Sequence, residues 1–223
     1  MDFNGEQKIF EKSLELAKNY ADTILKGPLS EFSGILTDTV GYWRLKNQVN
    51  LLLKTKKFLQ DKGIKQTKVL PDVFVPLLQE GSNIENDSLS NMFASLLAGH
   101  IESKEQEYIH PSYSKVLSQL SSIDANILVY FRRFVSALEY RELGFKGPKF
   151  IVLDIANELN ISERSAYISC LNLERLGIIE HTGYRPPEDH PIPNLFEDSM
   201  EHQEFRITEY GIAFNDACHH YDD

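Results

Sequence analysis

The chain has 223 residues, 42% of them apolar and 25% charged, with a formal net charge of −10, which fits a soluble globular protein of one or two domains. No apolar run approaches the roughly 18 residues of a membrane span, and the opening MDFNGEQK lacks the basic cluster and apolar stretch of a secretion signal, so a cytoplasmic protein is expected. Cys170 and Cys218 are the only cysteines and have no metal-ligand spacing, so no disulfide framework, structural zinc or other cofactor is expected, and both are read as reduced thiols, Cys170 in a core.

Apolar residues recur at helical spacing over 6–25 (Ile9, Leu14, Ala17, Ala21 and Leu25, with Phe10 and Ile24 alongside), and Gly27-Pro28 ends that pattern. Ser30 is a suitable N-cap for a long second helix carrying Phe32, Leu36, Val40, Trp43, Leu45, Val49, Leu52 and Leu59, with Gly63 as its stop. Trp43, the only tryptophan, shares a row with Phe32, Leu36 and Val40 and is read as a core or interface anchor. A short helix follows over 71–80, then the turn EGSNIEND, then a third long helix over 88–101. His110-Pro111 opens another short helix, and Ser122 is read as the N-cap of the apolar ANILVYFRRFVSALEY, with Asp124 in its first turn. The glycines and proline of GFKGPK (144–149) read as a linker, so we place a multi-helix region over 1–145 and a separate domain over 150–223.

The order of motifs in the first region resembles the Abi-alpha (abortive infection alpha) family of bacterial proteins. The resemblance rests on GPLSEFSGILTDTVGYWRLKN (27–47), PLLQEGSNIENDSLSNMFASLLAGH (76–100) and HPSYSKVLSQLSSIDANIL (110–128), and covers most of 27–130. It includes a short acidic turn, Glu85 and Asp87, before a helix ending in Leu96-Leu97-Ala98. These are packing and capping patterns, and each can equally be read as a helix start or a close-packed helix end. The resemblance therefore implies a part in phage defence but brings no catalytic residue with it. The acidic C-terminal domain lies beyond it.

That domain is read from spacing. FIVLDIANELN (150–160) forms one helix, Ser162 caps the next over 163–176, and Gly177 ends it in a left-handed conformation. IIEHTGY is a strand, 186–202 a long proline-rich acidic loop, and EFRIT the returning strand before Thr208 caps a last helix. Helix-turn-helix, hairpin and helix in this order resemble winged-helix domains. The fold class is thus mostly α, with a multi-helix N-terminal region and a small winged-helix domain of helices plus a β-hairpin.

A winged helix that reads DNA needs polar side chains on its second helix and cations along the phosphates. At 100° per residue, Ala166, Cys170 and Leu173 share the inward face, while Arg164, Ile168, Leu171 and Arg175 share the outer one, flanked by Tyr167. Ile168 and Leu171 offer bases no hydrogen bonds, and Glu188, Asp189, Glu197 and Asp198 in the wing loop would repel phosphate. An exposed apolar stripe points to a protein partner, a second copy of the chain included; the long wing loop is the alternative cover for it. Arg164, Tyr167, Arg175 and Arg185 would carry DNA contact if the runner-up reading, a winged-helix transcriptional regulator, held.

Charge is unevenly placed. Residues 1–62 hold ten basic against eight acidic residues, 63–149 nine against ten, and 150–223 four against fifteen. Arg44, Lys46, Lys54, Lys56, Lys57, Lys62, Lys65 and Lys68 stand against the single acid Asp61, forming a candidate basic surface that can attract the acidic domain within or between chains. Lys54, Lys56 and Lys57 with Leu51, Leu52 and Phe58 also admit an amphipathic, lipid-lying reading. No phosphate-loop, dinucleotide, HExxH or GxSxG signature occurs, and DACHHYDD (216–223) reads as a frayed polar tail. His181, His190 and His202 fall in or beside the wing, where they can tune its charge but imply no metal geometry. The expectation is a non-enzymatic interaction protein of an abortive-infection pathway, homodimeric through Tyr167, Ile168 and Leu171, with Trp43 and the apolar rows of 30–62 and 88–101 as further contact surface.

Overall fold

The computed structural model describes residues 3–24, 42–64, 68–69, 71–102, 109–110, 112–134, 148–185 and 199–220. They divide into two compact units, Met1–Ser118 with Ala217–Asp223, and Gln119–Asp216. The expected start of the second helix at Ser30, and the acids of the wing loop, lie outside the described residues.

The first unit is helical: α1 (Phe3–Ile24), α2 (Tyr42–Asp61), α3 (Pro71–Gly81), α4 (Asp87–Glu102) and α5 (Tyr113–Leu117). α2 packs against α1, α3 and α4. α4 is its most enclosed helix, because every residue from Met92 to Ala98 is buried, as a helix apolar all round must be. Ala17, Tyr20, Ala21 and Ile24 bring α1 to this core, and Val49, Leu51, Leu52 and Leu59 bring α2. Each fully buried Leu or Phe contributes on the order of 1.5–3 kcal/mol. Ile9, expected in the inward row of α1, is instead 70% exposed, since the buried row begins only at Ala17.

The second unit starts earlier than the glycine-rich stretch led us to expect. α6 (Ser122–Arg132) belongs to it, followed by β1 (Lys149–Ile151), α7 (Val152–Leu159), α8 (Glu163–Arg175), β2 (Ile179–Tyr184), a 3-10 turn (Met200–His202), β3 (Gln203–Ile207) and α9 (Glu209–His219), whose residues from Ala217 onward count with the first unit. Aromatic packing explains why α6 joins: Phe131 stacks on Phe150 at 4.3 Å between ring centroids, and Tyr130 meets the same ring edge-on at 5.6 Å. Asn215 Nδ2 of α9 also donates to the Leu128 carbonyl of α6, 3.0 Å away. The cap of α6 is Ser121, one residue before the expected Ser122. Its hydroxyl accepts from Asp124 N while the Asp124 carboxylate accepts from Ser121 N, closing a capping box.

The three strands form an antiparallel sheet in the order β1-β3-β2, with Phe150 opposite Phe205 and Ile179 opposite Ile207. Phe150 and Ile151, expected to open a helix, pair as strand instead, and the helix begins at Val152. A continuous run of aromatic and β-branched residues satisfies strand and helix alike, and here the free edge of β3 decides.

Between α8 and β2, Gly177 takes a φ of +74°, a conformation that favours glycine. The chain then closes on itself: Thr208 Oγ1 donates to the Gly177 carbonyl at 2.7 Å and accepts from Gly211 N at 2.9 Å, capping α9.

Candidate functional site: the outer face of α8

α8 is positioned from both ends. At its start Asn160 adopts a left-handed φ of 51°, making the tight turn after α7, and Ser162 Oγ accepts from Ser165 N at 3.1 Å. At its end Asn172 Nδ2 donates to Asp124 Oδ2 at 2.9 Å and to the Gln119 carbonyl at 3.3 Å, tying the helix to the capped start of α6. Asp124 is 1% exposed, so the bond from Asn172 occupies an acceptor that water does not reach. The inward face is closed by Ala166, Cys170 and Leu173, each 0% exposed. Burial, with Asp124 and Glu174 nearby, pushes the Cys170 thiol up to about 12, which makes it a packed side chain rather than a nucleophile.

The outer face carries Ile168, 56% exposed, and Leu171, 42% exposed. Tyr167 is half-buried on the flank, its ring tilted towards Phe205 at 6.5 Å. The arginines that DNA contact would require differ in their freedom. Arg164 is exposed in the first turn. Arg175 donates through Nη2 to Asn172 Oδ1 at 2.8 Å and through Nη1 to Gln119 Oε1 at 3.2 Å. Arg185 is drawn to Glu204, whose carboxylate also accepts from Thr182 and Lys149. Burial raises the Glu204 carboxyl, but the bonds from Lys149, Thr182 and Arg185 outweigh it and hold the group below its ordinary value. Arg206, the remaining cation of this region, is paired with Glu180.

Several cations of the basic segment have partners within the first unit. Lys54 bonds Asp87 and Ser90, both at 3.1 Å. Lys56 lies over the Tyr20 ring at 5.7 Å, and Lys62 donates to the His220 carbonyl at 3.2 Å. Arg44 is half-buried, Lys46, Lys57 and Lys68 are exposed, and Lys65 lies outside the described residues. The lipid-lying reading fails because Leu51 and Leu52, its apolar half, are 1% and 0% exposed within the core. Trp43, 40% exposed, donates from Nε1 to Glu85 Oε1 at 2.7 Å and is held by the acidic turn.

The C-terminal segment is also corrected. His219 and Cys218 are buried rather than frayed, because Ala217 accepts a bond from the Ser95 hydroxyl of α4 at 3.1 Å. The signal was legible: Gly211, Ile212, Phe214, Asn215, Cys218 and His219, all buried, follow the helical period. Among the described residues no three His, Cys, Asp or Glu side chains converge as a metal site requires. Among them, too, no helix is long and apolar enough to cross a membrane.

These features define a mostly helical protein in which a helical unit accompanies a helix-turn-helix with a three-stranded sheet. The chain belongs to the abortive infection alpha family, whose match runs over residues 46–218. The second unit is therefore part of what defines the family, which corrects the expectation that it lies beyond the resemblance. No curated protein and no solved structure matches the chain. Family membership implies a role of the abortive-infection type.

Proposed function

We propose that the protein is a non-enzymatic component of a bacterial phage-defence response, acting through protein contacts made by the outer face of α8 in a winged-helix unit. One observation carries the reading: where a groove-entering helix would need polar side chains, α8 offers Ile168 and Leu171 at 56% and 42% exposure. The chemistry agrees with it. Arg175 and Arg185 already serve partners within the unit, and 150–223 holds fifteen acids against four arginines, a field that repels a polyanion. The runner-up, a DNA-binding regulator, has in its favour the element order of the unit and the exposed Arg164 in the first turn of α8.

The two readings separate in a host whose phage resistance depends on this protein. The double variant Ile168→Ala/Leu171→Ala, which removes apolar contact without adding charge, is expected to lose protection while keeping its helical content, and Arg164→Ala is expected to keep it. The reverse pattern would favour the regulator.

A further inference from the structure

We propose that the last turn of α9 is a clasp: closed on the first unit, it gives the unit that carries α8 a second attachment, and open, it leaves that unit held at one point of the chain. The chain passes from the first unit to the second between Ser118 and Gln119, and returns between Asp216 and Ala217, inside α9. The second unit is thus an insertion in the first. Up to the return, α9 is bound in the second unit, where the Thr208 hydroxyl caps its start and Asn215 Nδ2 donates to the Leu128 carbonyl. Its end is bound in the first.

What closes the clasp is a demand that the helix cannot meet itself, because the last four carbonyls of an α-helix find no N–H within it. One of these, Ala217, accepts from the buried Ser95 hydroxyl of α4 at 3.1 Å, and just past the helix the His220 carbonyl accepts from Lys62 Nζ at 3.2 Å. Lys62 also sets a positive charge at the negative end of the helix dipole. His220 Nε2 lies 3.8 Å from Glu102 Oε2 of α4. Between these bonds Cys218 and His219 are buried. The contacts of Lys62 and of the His220 ring are exposed, and a terminal turn is the part of a helix that opens most readily, so the clasp opens by local unfolding of one turn while both cores stay intact.

Urea unfolding of the intact chain, followed by one probe in each unit, provides the test. Trp43, the only tryptophan, reports the first unit by fluorescence, and the methyl resonances of the buried Ile155 and Ile179 report the second. With the clasp closed, the wild type is expected to give coincident midpoints. Ser95→Ala/Lys62→Ala, which removes both donors, is expected to pull the midpoints apart, as is Cys218→Asp, which places a charge in the buried turn. A variant that only weakened the first unit would move both midpoints together. Hydrogen exchange reads the opening itself: in the wild type the Cys218 and His219 amides are expected to exchange at least about tenfold faster than those of Phe214 and Asn215, and Ser95→Ala/Lys62→Ala is expected to widen that ratio. Wild-type midpoints that already differ, or midpoints that stay together in both variants, overturn the clasp. So does exchange of the Cys218 amide as slow as that of Phe214.

Discussion

Glu204 shows how much one side chain can organise in this protein. Its carboxylate is 8% exposed and joins Lys149 of β1, Thr182 of β2 and Arg185 beyond it, so one charge ties together three segments of the sheet region. Because its folded pKa lies below the unfolded value of about 4.3, its contribution is present above that pH and is lost as the pH falls through the folded value. Glu204→Gln is expected to cost about 1–3 kcal/mol at pH 7 and progressively less in acid, a convergence that urea unfolding at stepped pH would measure. The two faces of α8 offer a second contrast. Leu173→Ala, in the core, is expected to cost about 2–5 kcal/mol, and Ile168→Asp, on the surface, less than about 0.5 kcal/mol in thermal unfolding. A large loss from Ile168→Asp would mean that the residue is covered within the chain.

At the level of elements, the start of α9 depends on close backbone approach. A Cβ placed on Gly211 would sit 2.0 Å from the Ile178 carbonyl oxygen, so Gly211→Ala must displace the helix from the strand. We expect it to lower stability by more than about 2 kcal/mol in denaturant unfolding, far beyond what helix propensity would give. Other elements were legible because local chemistry and period agree. α8 has Ser162 before it, Gly177 after it and an apolar row at helical spacing, and α4 has its acidic turn and its run of small and large apolar residues. β1 was not, because Phe150-Ile151-Val152-Leu153 is apolar throughout and its strand state comes from pairing with a distant β3. The compact units divide before α6, not at the glycine-rich stretch, for a related reason. Gly144 and Pro148 are linker-type residues in the sequence, whereas membership of α6 is set by Phe131 stacking on Phe150. Of the candidate site, the apolar outer stripe of α8 could be read from spacing alone. That Arg175 and Arg185 are engaged could not, since their partners Gln119 and Glu204 are far off in sequence.

For the molecule as a whole, acid sensitivity follows from burial. His100 of α4 is buried, and desolvation lowers its pKa from 6.5 to about 4. Below about pH 6.5 the unfolded chain takes up a proton that the folded chain refuses, so stability falls towards pH 4, by up to about 3 kcal/mol. Wild type is thus expected to lose stability between pH 7 and pH 5 while His100→Gln stays nearly flat over that range, as chemical denaturation would record. A net charge of −10, concentrated in the unit that carries the helix-turn-helix, sets the terms on which nucleic acid can be met. The most direct measurement is therefore the titration of labelled duplex DNA with the intact protein at physiological salt. No measurable affinity is expected; tight, sequence-dependent binding that disappears in Arg164→Ala would contradict the protein-contact role and make α8 a reader of DNA.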